Sequence, residues 1–207
     1  RAGILHADGA FHGLTCGALS LMGNPWWRND FEPLLPGVES VPYLDLGALE
    51  AKLNTGRFGA FIVEPVQSES GVHAPTAAAW AAAAELCRRH GALLVFDEVQ
   101  TGLGRTGRFL AAHHFGVEPD MVILAKALSG GLVPVGAVLV RAEVGRSVYS
   151  DVARAFLHAS TFGENTLAMR AGLTGLDILE DEHLLARALR LGETLREGVA
   201  GLARRYE

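Results

Sequence analysis

Apolar residues in the first two-thirds of the chain fall into short unbroken runs: Ala60-Phe61-Ile62-Val63, Ala92-Leu93-Leu94-Val95-Phe96, Met121 to Leu124 and Val135 to Val140. Runs of this length without polar alternation predict strands buried on both faces. Helical patterns separate them. Asp45 caps a helix reaching Asn54, with Leu46, Leu49 and Leu53 on one face and Gly56 as its stop. Ala-rich Thr76 to His90 ends at Gly91, and Phe109 to Phe115 forms a shorter helix. Nearer the start, residues 3 to 6 with Ala10-Phe11 predict a strand running into turns at Gly9 and Gly13, and residues 14 to 22 a short helix ended by Gly23-Asn24-Pro25. From there to Pro42 the chain is rich in Pro, Trp and Gly, which predicts a packed irregular excursion with a strand at Val41 to Tyr43.

Strands apolar on both faces and separated by helices predict an α/β fold, a mostly parallel sheet with helical layers on both sides, over residues 1–163. The last fifth has a different pattern. Asn165 to Leu179 and Glu182 to about Tyr206 predict two amphipathic helices broken near Asp181, the second with a stripe of Leu184, Leu185, Leu189, Leu195 and Val199. This sets a domain boundary near residue 164, with residues 164–207 as the helical start of a second domain.

In open parallel sheets the working residues gather beyond the carboxyl ends of the strands. Glu64, Asp97 and Lys126 each follow one of the buried runs. Lys126 stands out further because lysine occurs only twice in the chain, at Lys52 and Lys126, among 18 basic residues. A guanidinium stays protonated, whereas a desolvated ammonium can lose its proton and attack a carbonyl. A buried carboxylate at a strand end needs a cation. Asp97 and Lys126 therefore admit two readings: a direct ion pair, or a cofactor between them with a protonated ring nitrogen facing Asp97 and an aldehyde carbon on Lys126. Pyridoxal phosphate has that polarity.

Bulk properties exclude several classes. About half the residues are apolar and the net charge is -5 with no basic block, which argues against nucleic acid or an anionic membrane as partner. Cys16 and Cys87 form no CxxC pair, as expected for a reducing cytoplasm. No uncharged stretch reaches the roughly 18 residues of a membrane span, and the start has no signal-peptide layout. The opening at Arg1 and the close at Glu207 inside a helical pattern lead us to expect an excerpt of a longer protein. Gly102-Leu103-Gly104-Arg105-Thr106-Gly107 matches G-x-G-x-x-G, but Asp97 to Thr101 separate it from the strand and the acids there would repel a pyrophosphate. Adjacent His113 and His114 point to different helix faces and make a poor metal pair. Gly-x-Ser-x-Gly does not occur, and Ser129 before Gly130-Gly131 reads as part of a flexible turn.

The motifs AFHG at 10–13, EPVQSESG at 64–71, DEVQTGLGRTG at 97–107, LAKALSGG at 124–131, PVGA at 134–137 and HASTFGENTLA at 158–168 occur in one order across nearly the whole chain. In that order they resemble the class III pyridoxal-phosphate aminotransferases of fold type I. The resemblance implies the large domain of that fold followed by the start of a small C-terminal α+β domain. It implies that Lys126 forms the internal aldimine and shuttles a proton, that Asp97 pairs with the pyridinium nitrogen, and that Phe11 and Val99 cover the two ring faces. His12, Gln100 and Glu64 would lie around the cofactor. Ser160 and Thr161 belong to the motif that binds the cofactor phosphate of a partner subunit, which implies a homodimer with a shared active site. Glu69 matches a position that faces a substrate-binding arginine. PLLPG at 33–37, LVPVGA and FLHASTFG lean toward the acetylornithine, ornithine and putrescine members, hence a terminal amine of an omega-amino acid or diamine as donor and a 2-oxo acid as acceptor. An aminomutase of the semialdehyde type, or a catalytically incomplete partner chain, are the other readings. Two departures stand out: Gly163-Glu164-Asn165-Thr166 replaces a common Gly-Gly-Asn-Pro, and Leu14 stands where an arginine is common. The family's phosphate-cradling loop would precede residue 1, and its substrate-carboxylate arginine would follow residue 207.

Overall fold

A computed structural model describes residues 2–205. The strands are β1 (Gly3–Ala7), β2 (Val38–Val41), β3 (Phe58–Val63), β4 (Leu93–Asp97), β5 (Met121–Leu124) and β6 (Ala137–Val140), the last four formed by the apolar runs. They join in one sheet of order β2-β1-β3-β4-β5-β6, parallel throughout except for the antiparallel edge strand β6. The expected α/β class with a mostly parallel sheet is what the chain forms.

The helices are α1 (Cys16–Ser20), α2 (Pro25–Arg28), α3 (Leu46–Asn54), α4 (Ala77–His90), α5 (Ala112–Phe115), α6 (Ala142–Val148), α7 (Thr166–Asp181) and α8 (Leu184–Arg205). Their starts are written in the sequence: Asp45, Thr76 and Asn165 each accept a backbone N–H three residues on, at 2.9, 3.2 and 2.9 Å. Gly91, with φ 61°, closes α4 in the left-handed conformation.

Register puts Leu5, Phe61 and Leu94 side by side on one sheet face, with Val63 and Phe96 one step further. Leu49 and Leu53 of α3 and Trp80, Ala83, Leu86 and Cys87 of α4 pack on that face. Trp80 is fully buried, meets the Phe96 ring edge-on at 4.7 Å and donates its indole N–H to the Pro65 carbonyl at 3.2 Å. Trp80 thereby ties the segment that follows β3 to the end of β4. A smaller cluster of Leu103, Val122, Leu124 and Leu128, with Leu176 of α7 against it, steadies the turn after β5. Gly175 makes that contact close: a Cβ there would lie 2.8 Å from the Leu128 carbonyl oxygen.

The structure corrects several local expectations. The strand expected at 41–43 lies at β2, because Pro42 cannot donate to a ladder and Val38 to Val41 pair with β1. Ala10 and Phe11 form no strand; a turn closes there through the Ala10 N–H to Ala7 carbonyl bond at 3.2 Å. The helix expected from Phe109 begins at Ala112, and the strand expected from Val135 begins at Ala137. α6 was not anticipated, since its surface position leaves no apolar periodicity to read. The last helix break falls at Glu182-His183; Tyr206, Arg1 and Glu207 lie outside the described residues.

Candidate active site

Because β3, β4 and β5 run parallel, they deliver Glu64, Asp97 and Lys126 to the same sheet edge. The loop after β1 brings Phe11 and His12 to it. All five line one cavity of about 130 Å³, with Val99 and Gln100 completing its wall. The cavity thus joins the three strand-end residues to four that the resemblance implied, Phe11, His12, Val99 and Gln100.

Asp97 is 5% exposed and held at both oxygens. Oδ1 accepts the Val99 N–H at 3.0 Å, and Oδ2 accepts the His12 Nδ1 proton at 2.7 Å. The direct Asp97–Lys126 ion pair is thus not formed: the side chain that meets this carboxylate is the ring of His12, which is 3% exposed. Such a short bond to a carboxylate is charge-assisted and fixes the tautomer. His12 Nε2 is buried without a hydrogen-bond partner.

Glu64 is buried beside this pair, and its Oε2 accepts the Phe11 N–H at 3.2 Å. Burial is the main cause that lifts its carboxyl to about 7; His12 and the Phe11 N–H pull it back, while Asp97 and Glu69 push it up. The carbonyls of Glu64 and Pro65 accept the Tyr43 hydroxyl at 3.0 and 3.2 Å, so the backbone here is bonded on both sides.

Lys126 differs from expectation in its burial. It is exposed, and it opens the single 3-10 turn Lys126–Ser129 with φ 46°, a left-handed conformation costly for a residue with a Cβ. The turn behind it is tied back: Ser129 is 2% exposed and its hydroxyl donates to the Val133 carbonyl at 2.6 Å.

Other sequence candidates lie apart. Glu69 is exposed and lines neither this cavity nor the larger one beside it. Ser160 and Thr161 are exposed, with Ser160 on a separate groove between β6 and α7. His114 bonds the Thr106 carbonyl at 2.9 Å and its hydroxyl at 3.2 Å, tying the glycine-rich segment to α5. No helix opens at Gly107, so the G-x-G-x-x-G match lacks the helix that a dinucleotide site needs.

Sequence reasoning missed the role of Glu98. It is 1% exposed, and its carboxylate accepts the Thr101 hydroxyl at 2.6 Å and the Ala111 and Ala112 N–H groups at 2.9 and 2.8 Å. It caps α5 from across the loop and so anchors residues 98–111. Gln67, also buried, ties the loop after β3 to the Asp8 carbonyl at 2.9 Å. No local pattern marks either role, because Ala111, Ala112 and Asp8 lie 13, 14 and 59 residues away.

Comparison with known proteins fits this geometry. The sequence profile of the family described as aminotransferase class-III matches residues 1–207. The chain belongs to the class III aminotransferases. It is 48% identical over 199 residues to the acetylornithine aminotransferase of Mycolicibacterium smegmatis, covering 96% of this chain and 49% of that protein. It is 44% identical over 197 residues to the mitochondrial ornithine aminotransferase of Rattus norvegicus, covering 95% and 44%. Among solved structures, the ornithine aminotransferase of Toxoplasma gondii superposes with a TM-score of 0.89 at 42% identity, covering 96% of this chain and 46% of that one. The chain therefore spans less than half the length of each of these relatives. Its sheet and helices are those of a class III aminotransferase segment. No helix among the described residues is long and apolar enough to cross a membrane.

Proposed function

We propose that the protein containing this chain is a pyridoxal-phosphate-dependent transaminase that moves the terminal amine of an omega-amino acid or diamine to a 2-oxo acid. The observation that carries this is the pairing of an anchored carboxylate, Asp97, and a free amine, Lys126, on one cavity between the ends of adjacent parallel strands. The related Toxoplasma gondii structure is described with pyridoxal phosphate at its active site.

The residues present suit that cofactor. Asp97, with two donors already satisfying it, holds its negative charge toward a protonated ring nitrogen. Phe11 and Val99 offer an aromatic and a branched apolar surface for the two ring faces. Gln100 serves the ring hydroxyl, Glu64 stands behind Phe11, and His12 orients Asp97. Lys126 would hold the cofactor through its amine, with loss of water, and once released would carry the proton to and from the substrate's amine-bearing carbon. When bound, the cofactor supplies the electron sink that makes that proton removable. Ser160 and Thr161, exposed on the 158–164 segment, reach the cofactor phosphate of a second copy, and Glu69 faces a substrate-binding arginine. The active unit is then a cytoplasmic homodimer, with residues 1–163 as its cofactor domain and a second domain starting at 164.

Product analysis with the intact protein tests this. Amino-group transfer that requires 2-oxoglutarate is expected; isomerisation of the donor without an oxo acid would overturn it.

A further inference from the structure

A second cavity of about 750 Å³ adjoins the first and shares Val66, Val99, Gln100, Thr101 and Lys126 with it. The two differ in charge. The smaller carries Glu64 and Asp97, whereas the only charged side chains on the larger are Arg105 and Lys126. Lys126 stands at their junction, with acids on one side and a guanidinium on the other.

Arg105 sits in the glycine-rich segment that the dinucleotide reading left without a task. Its backbone is fixed: Arg105 N–H bonds the Gly102 carbonyl at 3.3 Å, Gly107 N–H the Gly104 carbonyl at 2.9 Å, and Leu103 N–H the Phe109 carbonyl at 2.7 Å. Gly104 and Gly107 take φ of 92° and 82° and pack against Leu185 and Leu189 of α8, where a Cβ on Gly107 would come within 2.3 Å of Leu189. These glycines let the loop press on the helix, and the loop presents Arg105 to the cavity. Among the described residues the guanidinium has no ion pair and no side-chain hydrogen bond. Ser68 and Thr106 add hydroxyls to the same wall.

We infer that Arg105 is a specificity-determining residue that binds, in the larger cavity, the carboxylate of a dicarboxylic 2-oxo acid acceptor that lies away from its reacting carbonyl, the carboxylate beside that carbonyl being left to the arginine beyond residue 207. A guanidinium carried on a fixed loop matches a carboxylate in a two-pronged geometry, and no acid on the cavity wall competes for it. This assignment rests on the transaminase function proposed above.

The test uses the intact protein loaded with cofactor, as wild type, Arg105→Met and Arg105→Lys. Selectivity for 2-oxoglutarate over butanal, as a ratio of kcat/KM, is expected to fall about 10- to 100-fold in Arg105→Met through KM, and to recover partly in Arg105→Lys. Calorimetric titration of the cofactor-free protein with glutarate should show binding to wild type that Arg105→Met loses. An unchanged ratio, or unchanged glutarate binding, overturns the inference. Weakened cofactor affinity in Arg105→Met also overturns it, because the anion would then be the cofactor phosphate. If wild type turns over no oxo acid at all, the transaminase function has failed, while glutarate binding still reports on Arg105 itself.

Discussion

The two walls of the Lys126 junction are built in opposite ways. On the acid wall Asp97, Glu64 and His12 are buried, and each is already bonded within the chain. On the cationic wall Lys126 is exposed with a left-handed backbone, and Arg105 is exposed with no ion pair among the described residues. Under the proposed function, the difference follows from what each wall would do. A carboxylate that keeps a ring nitrogen protonated works by not moving, so the fold surrounds it with donors. An amine that attacks, releases and carries a proton must stay free.

Substitutions on the acid wall should separate the groups that serve the site from those that serve the fold. The largest effect is expected at Asp97→Asn, which keeps an acceptor for the Val99 N–H but removes the charge. Turnover should fall on the order of 10²- to 10³-fold with little change in Tm; near-normal turnover by steady-state kinetics would break the contrast between the walls. Its neighbour makes the control. Glu98→Ala strands two N–H groups and a hydroxyl in the interior, so denaturant unfolding should show a loss of about 3 kcal/mol, with cofactor absorbance retained in the folded fraction.

A smaller effect concerns Glu64. Its carboxyl is raised by burial from 4.5 to about 7, so the folded chain holds that proton more tightly than the unfolded one. The stability it contributes is fully present below about pH 4.5 and is lost as pH rises through about 7, by at most about 1.4 kcal/mol per pH unit. Glu64→Gln should flatten that slope in unfolding curves taken across this window. An unaltered slope would assign the titration to another group.

How much of this was legible in the sequence depended on where the partners lie. The apolar runs that became β3, β4 and β5 declared themselves, because a strand covered on both faces has no polar positions. β2 was misplaced since Glu39 and Ser40 interrupt its two valines, as an edge strand allows. Asp97 and Lys126 could be found because strand ends are visible as the points where apolar runs stop. That Asp97 would choose His12 could not, since 85 residues separate them and only the parallel order of β1, β3 and β4 brings them together. The same holds for Glu98, whose bonds to Ala111 and Ala112 depend on the loop folding back. Motif order supplied the family, while local pattern gave no sign that Lys126 would be exposed or that the glycine run would aim an arginine.

The most direct test of the account is pyridoxal phosphate titration of the intact protein, wild type against Lys126→Ala, read by visible absorbance and turnover together. Wild type should develop the absorbance of a cofactor bound through lysine. Lys126→Ala should show none of it and lose turnover by about 10³-fold or more. The same absorbance with turnover in Lys126→Ala would contradict the central claim that this amine is where the chemistry occurs.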